Sequence, residues 1–135
     1  MIWKIRGGIR NNHPIIWSLA LGLKETAVSF FKLNLHADDG EVYFQQKILI
    51  DYTDDARILY DKIMKVAKTG VIQISNDVDN QCLEPVILQH KEGNIWRKRN
   101  YQDGIIDWRM SGKAIYNLVR ALTRPYVGAE FHYKE

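Results

Sequence analysis

The sequence predicts a mixed α/β fold: a helix, a β-hairpin, a second helix, a stretch of mixed elements and a last helix. Three observations carry this prediction. Ile16, Leu19, Ala20 and Leu23 recur at i, i+3, i+4 and i+7, which puts them on one helical face. Two runs rich in Val, Phe, Tyr and Ile, residues 26–35 and 42–50, are separated by His36-Ala37-Asp38-Asp39-Gly40. Asp-Gly between such runs is a strong hairpin signal. Leu59, Ile63 and Val66, and later Ile115, Leu118, Val119 and Leu122, mark two further apolar stripes.

The first helix is expected over residues 14–23. Pro14 suits its first position, where a missing N–H costs nothing, and Asn12 and His13 precede it as candidate caps. Gly22 lies near its C-terminal stop. The second helix is expected over 54–68, capped by Thr53 or Asp54 and stopped by Gly70. Val71 to Ser75 fits a short strand or a helix, and Asn76 to Asn80 reads as a polar loop. Short strands are expected near 86–89 and 94–97, and a turn at Asp103-Gly104. The last helix runs from about Lys113 to Leu122, with Ser111 as its cap and Pro125 beyond its end.

Composition sets the outer bounds. The chain has 135 residues, one domain's worth, and is 46% hydrophobic and 26% charged, as ordinary globular proteins are. The longest apolar run, Pro14 to Leu23, is too short to span a bilayer, so no membrane partner is expected. One cysteine, Cys82, excludes an internal disulfide and any all-cysteine metal site, and points to a reducing, cytoplasmic setting. The net charge of +3 is too small an excess to argue for a nucleic-acid partner. The one dense basic segment, Arg97-Lys98-Arg99, suits a phosphate as well as a nucleic acid.

Few residues suggest chemistry on spacing alone. His13, His36, His90 and His132 show no metal-ligand spacing, so no metal is expected. Arg6-Gly7-Gly8 is the only glycine pair, and it would let backbone approach a ligand closely. Asp38-Asp39-Gly40-Glu41 gathers three carboxylates around a glycine, and a carboxylate held at a turn can orient an imidazole or take a proton. The hairpin turn accounts for Asp39 and Gly40 without any chemistry.

Order along the chain says more. Arg6-Gly7, Pro14-Ile15-Ile16-Trp17-Ser18-Leu19-Ala20-Leu21-Gly22, Glu25-Thr26, Asp38-x-Gly40-Glu41 and Gln46 follow one another. Then come Arg99, Asp103-Gly104-Ile105-Ile106-Asp107-Trp108, Ile115, Arg120-Ala121-Leu122, Pro125-Tyr126 and Gly128-Ala129. The series resembles the formyltransferase family, which includes methionyl-tRNA formyltransferase and the sugar N-formyltransferases. Asn117 to Tyr126 looks closest to the sugar-modifying branch. Glu41 stands where the family has Asp, and Val127 where it has Pro.

The resemblance implies an α/β fold. Residues 1–90 would be the C-terminal part of the family's Rossmann-like catalytic domain. Residues 91–135 would be a junction segment, with a helix leading to a C-terminal subdomain. It implies transfer of a formyl group from 10-formyltetrahydrofolate to an amine, by resemblance that of a nucleotide-linked amino sugar. Asp38 would be the catalytic carboxylate, and Asp38 and Gly40 would face the folate. Arg6, Gly7 and Asn12 would face the substrate. The family's Asn-x-His pair, which polarises the formyl carbonyl, lies just upstream of the Arg-Gly loop, and only five residues precede Arg6 here. Asn11, Asn12 and His13 follow that loop instead, so they do not replace it. The chain is therefore expected to be a truncated formyltransferase whose bare sheet edge favours a homodimer or low stability. Two other readings stand beside it: a fragment like methionyl-tRNA formyltransferase, and a non-catalytic binding or dimerisation module. By the same reading Asp107 and Trp108 brace the junction, with the Trp buried beside a helix.

Overall fold

The computed structural model describes residues 13–32, 40–86 and 97–133. Helix α1 spans Pro14–Ala20, with the proline at its start as the sequence suggests. His13 precedes it in a left-handed conformation, φ 70°, and makes no side-chain cap. Ser18 Oγ instead donates to the Pro14 carbonyl at 2.8 Å, inside the helix. The chain leaves α1 through Gly22 at φ +65°. A Cβ there would lie 2.6 Å from Asn117 Nδ2, so both the backbone and the neighbour require glycine.

The hairpin forms as expected. Strand β1, Glu25–Phe31, pairs antiparallel with β2, Val42–Leu49, from Glu25 opposite Leu49 to Phe30 opposite Phe44. The register shifts between Phe30 and Phe31, so Phe31 faces Val42. Lys32 N donates to the Glu41 carbonyl at 2.9 Å and closes the neck of the connection. One face of the hairpin, Val28 and Ile48 with Phe30 beside them, joins the main core.

Helix α2 differs from its predicted extent. It spans Ala56–Asp79 and runs straight through Gly70. Ala56, Leu59, Ile63, Ala67 and Gly70 form its buried stripe. Gly70 is not a stop signal but a contact point. A Cβ there would meet Phe44 at 2.6 Å and Phe30 at 2.7 Å, so the missing side chain is where the helix rests on the hairpin. The uncertain stretch 71–75 and the polar stretch 76–79 are both helical. The cap is Asp55, whose carboxylate accepts from Ile58 N at 2.8 Å, rather than Thr53 or Asp54. Asp54 is buried and does other work. It accepts from Asp51 N at 2.9 Å and from Lys62 Nζ at 2.6 Å.

A single 3₁₀ turn, Tyr101–Gly104, replaces the simple turn expected at Asp103-Gly104. Asn100 N donates to its Asp103 Oδ2 at 2.7 Å. Helix α3, Gly112–Ala121, is capped as expected: Ser111 Oγ accepts from Ala114 N at 3.2 Å. Leu118, Ala121 and Leu122 enter the same core as Ile16 and Leu19 of α1 and Leu59 and Ile63 of α2. Arg120, buried on α3, donates to the carbonyls of Asp51, Tyr52 and Asp54 at 3.0, 3.1 and 3.1 Å, and to Asn117 Oδ1 at 3.0 Å. It ties the loop before α2 to α3. Beyond α3 the Arg124–Pro125 peptide is cis. The chain then returns to pair Glu130 with Ile105 in a parallel bridge. Among the described residues no helix is long and apolar enough to cross a membrane.

Val86 N donates to the Val42 carbonyl at 2.6 Å, at one end of β2. Val86 and Arg97 are not in strands, and the rest of the strands expected at 86–89 and 94–97 lies outside the described residues.

Candidate functional site

The start of α1, the 3₁₀ turn and the segment after α3 meet around a cleft of about 300 Å³. Its walls are largely apolar: Ile16 from α1, Gly104 and Ile105 after the turn, then Leu122, Pro125, Tyr126, Val127 and Gly128. Its polar groups are His13, Arg99, Asn100, Tyr101 and Glu130. An apolar hollow with a few convergent polar groups is the ordinary form of a small-molecule site.

Local chemistry shapes the polar side. The Arg99 guanidinium lies over the Trp17 ring, with Cζ 4.9 Å from the ring centroid. Its Nη2 donates to the backbone carbonyl of Asp103. The Asp103 carboxylate is engaged by Arg97, with Arg97 Nη1 at 2.8 Å from Oδ2. That hydrogen bond from Arg97 holds the Asp103 carboxyl below the usual carboxylate range. Arg99 makes no ion pair among the described residues, and burial pulls its basicity down. Tyr101 donates its hydroxyl to the Glu130 carboxylate, which pushes the phenol pKa up. Burial pushes the Tyr126 phenol up as well.

The residues singled out in the sequence fall unevenly on this geometry. Asp38, Arg6, Gly7 and Asn12 lie outside the described residues. Gly40 is described and sits at the hairpin neck, where a Cβ would lie 1.6 Å from the Lys32 carbonyl oxygen. Its lack of a side chain is thus accounted for by the close backbone. Arg99, Gly104, Ile105, Leu122, Pro125, Tyr126 and Gly128 do converge on the cleft, although they are far apart in sequence. Of Arg97-Lys98-Arg99, only Arg99 lines it. Arg97 is spent on Asp103, and Lys98 is exposed.

Trp108 corrects an expectation. It is 65% exposed rather than buried, and it packs edge-on against Phe131, with ring centroids 5.2 Å apart. Asp107 beside it is engaged by Arg109, whose Nε lies 2.9 Å from Oδ1. His13, Tyr101, Val127 and Glu130 belong to the cleft but were not singled out as site residues. None stands in a spacing that marks chemistry. Only the neighbouring motif residues could have pointed to them.

Residues 98–135 match the family model described as "Formyl transferase, C-terminal domain". The chain is 34% identical over 129 residues to the bifunctional polymyxin resistance protein ArnA of Wigglesworthia glossinidia brevipalpis. That alignment covers 89% of this chain and 18% of the relative. Among solved structures, a 4-N formyltransferase from Francisella tularensis superposes with a TM-score of 0.75 at 20% identity, over 94% of this chain and 55% of that one. WlaRD, a sugar 3N-formyl transferase solved in the presence of dTDP and 5-N-formyl-THF, gives 0.75 at 18% identity, over 89% of this chain and 44% of that one. The chain is therefore related to the formyltransferases, and its mixed helix-and-hairpin fold is theirs. It spans about a fifth of the ArnA relative and about half of each of the two enzymes.

Proposed function

We propose that this chain supplies the C-terminal part of the catalytic domain, residues 1–90, and the following junction, residues 91–135, of a formyl-transfer site. The reaction would move a formyl group from 10-formyltetrahydrofolate to the amine of a nucleotide-linked amino sugar. The observation that carries the reading is the 34% identity to ArnA across nearly the whole chain. The convergence of motif residues from α1, the 3₁₀ turn and the end of α3 on one cleft supports it.

The co-substrate supplies the formyl carbon that the amine attacks. The chain's own share of that chemistry is Asp38. A carboxylate there would accept a proton from the attacking amine, directly or through an imidazole that it orients. The described part of the hairpin fits such a role. The Lys32–Glu41 hydrogen bond, 2.9 Å, and the tight packing of Gly40 on Lys32 fix both ends of the connection that carries Asp38. Arg6, Gly7 and Asn12 would meet the substrate. Asn and His donors to the developing oxyanion, which the family carries as an Asn-x-His pair, would complete the site beside Asp38.

The test is an assay of formyl transfer to UDP- and dTDP-linked amino sugars with 10-formyltetrahydrofolate, read by product mass. It is run with the chain alone and with the chain plus a polypeptide carrying the Asn-x-His segment of a formyltransferase. The expected result is turnover only in the second case. Substrate binding with no turnover under either condition would replace this reading with that of a binding module.

A further inference from the structure

Helix α2 runs on past its support. Its buried stripe ends at Gly70, and none of residues 71–79 is buried. Yet Val71, Ile72 and Val78 are apolar and about half exposed. Tyr60, Met64, Ala67, Val71, Ile74 and Val78 follow one another at steps of 4, 3, 4, 3 and 4, the spacing of a seam on which a second helix packs. At 1.5 Å per residue the seam is about 27 Å long. Of its residues only Ala67 is buried.

Charge along α2 is divided. Residues 56–69 carry four cations and one carboxylate, and residues 70–79 carry two carboxylates and no cation. Arg57 is taken by Asp61, and Lys62 by Asp51 and Asp54. Lys65, Lys68, Asp77 and Asp79 form no ion pair among the described residues. A second copy laid antiparallel and centred on Val71 brings its Asp77 level with Lys65, since each lies six positions from the centre. The same Asp77 then falls within one helical turn of Lys68. A parallel copy would instead set lysine beside lysine and aspartate beside aspartate, which is unfavourable.

We infer that the occupant of this seam is a second copy of the chain, with its α2 antiparallel and crossing at Val71. Such a contact is two-fold symmetric, the same patch meeting itself. The homodimer expected from a bare sheet edge is thereby assigned to a helix face. The inference stands apart from the formyl-transfer reading.

Sedimentation equilibrium of the 135-residue chain over a dilution series tests it. A reversible dimer is expected. Val71→Glu places two carboxylates in the seam and is expected to raise the dissociation constant roughly 100-fold or more. Val71 is 48% exposed, so this variant keeps the core, and its melting curve checks that it does. Lys65→Glu and Asp77→Lys are each expected to weaken the dimer roughly fivefold, and the double variant to restore it. That rescue reads the antiparallel register, which an apolar face that merely aggregates would not show. A monomer at every concentration overturns the inference, and so does a dimer that Val71→Glu leaves intact. A dimer that Val71→Glu breaks but the charge swap does not rescue overturns the antiparallel arrangement. A monomer whose Val71→Glu form also fails to bind the Asn-x-His-bearing polypeptide gives the seam to that partner and overturns the second copy.

Discussion

Arg120 Nη1 lies 3.1 Å from the carbonyl oxygen of Asp54, and both residues are buried, although 66 positions separate them. The same nitrogen reaches the carbonyls of Asp51 and Tyr52. The three carbonyls belong to the bend that launches α2, and α3 supplies their donor. The Asp54 carboxylate completes the arrangement by binding Lys62 of α2 and the backbone of Asp51. This clamp joins the hairpin exit, α2 and α3 into one packed body.

Arg120→Met is therefore expected to lower stability by about 2–3 kcal/mol, the cost of leaving buried carbonyls without a donor. Thermal or urea unfolding checks the value. A change below about 0.5 kcal/mol would mean that water replaces the guanidinium, as it does at ordinary surface positions.

Gly70 and Gly112 are expected to respond to alanine with opposite signs. At Gly70 the new methyl would push on the Phe44 and Phe30 rings from 2.6 and 2.7 Å. Overpacking costs about 1–3 kcal/mol, against a gain in helix propensity of about 1 kcal/mol, so the net change is a loss. At Gly112 nothing lies within 4 Å, and alanine is expected to stabilise by about 0.4–1 kcal/mol. Paired melting curves of the two variants decide the matter.

Asp103 gives a pH dependence. Its folded-state pKa is depressed, chiefly by the Arg97 hydrogen bond. A depressed carboxyl contributes stability that is present above its unfolded pKa and is lost as pH falls through the folded value. Stability is thus expected to decline on acidification below the ordinary value of 3.8, and Asp103→Asn is expected to flatten part of that decline. Asp107, held by Arg109, is expected to titrate at about 2 in a carboxyl NMR experiment. It is too exposed to carry much of the stability change.

The hairpin and α3 were legible because their signals are local: Asp39-Gly40 between two β-rich runs, and Ser111 before an apolar stripe. The length of α2 was not, because Gly70 reads as a stop until the Phe30 and Phe44 rings beneath it are known. The choice of Asp55 over Asp54 as cap was equally hidden. Adjacent acids look alike in sequence, and only Lys62 and the Asp51 amide claim Asp54 for the interior. Trp108 was expected to brace the junction buried beside a helix, as large aromatic rings commonly do, yet its ring packs outside against Phe131. At the cleft, Arg99 was visible in the basic segment and in the ordered motifs, and Tyr126 only in the motifs. Nothing in their spacing showed that they would meet Ile16 or Glu130 around one hollow.

The most direct measurement compares Asp38→Asn with Asp39→Asn in the formyl-transfer assay, with the Asn-x-His-bearing polypeptide present. If Asp38 is the proton-accepting carboxylate, its amide variant loses roughly 100-fold or more in rate, within the range of a lost general base, while Asp39→Asn keeps nearly all of it. Equal rates for the two variants would contradict the assignment of Asp38, and with it the claim that this chain contributes a catalytic group to formyl transfer.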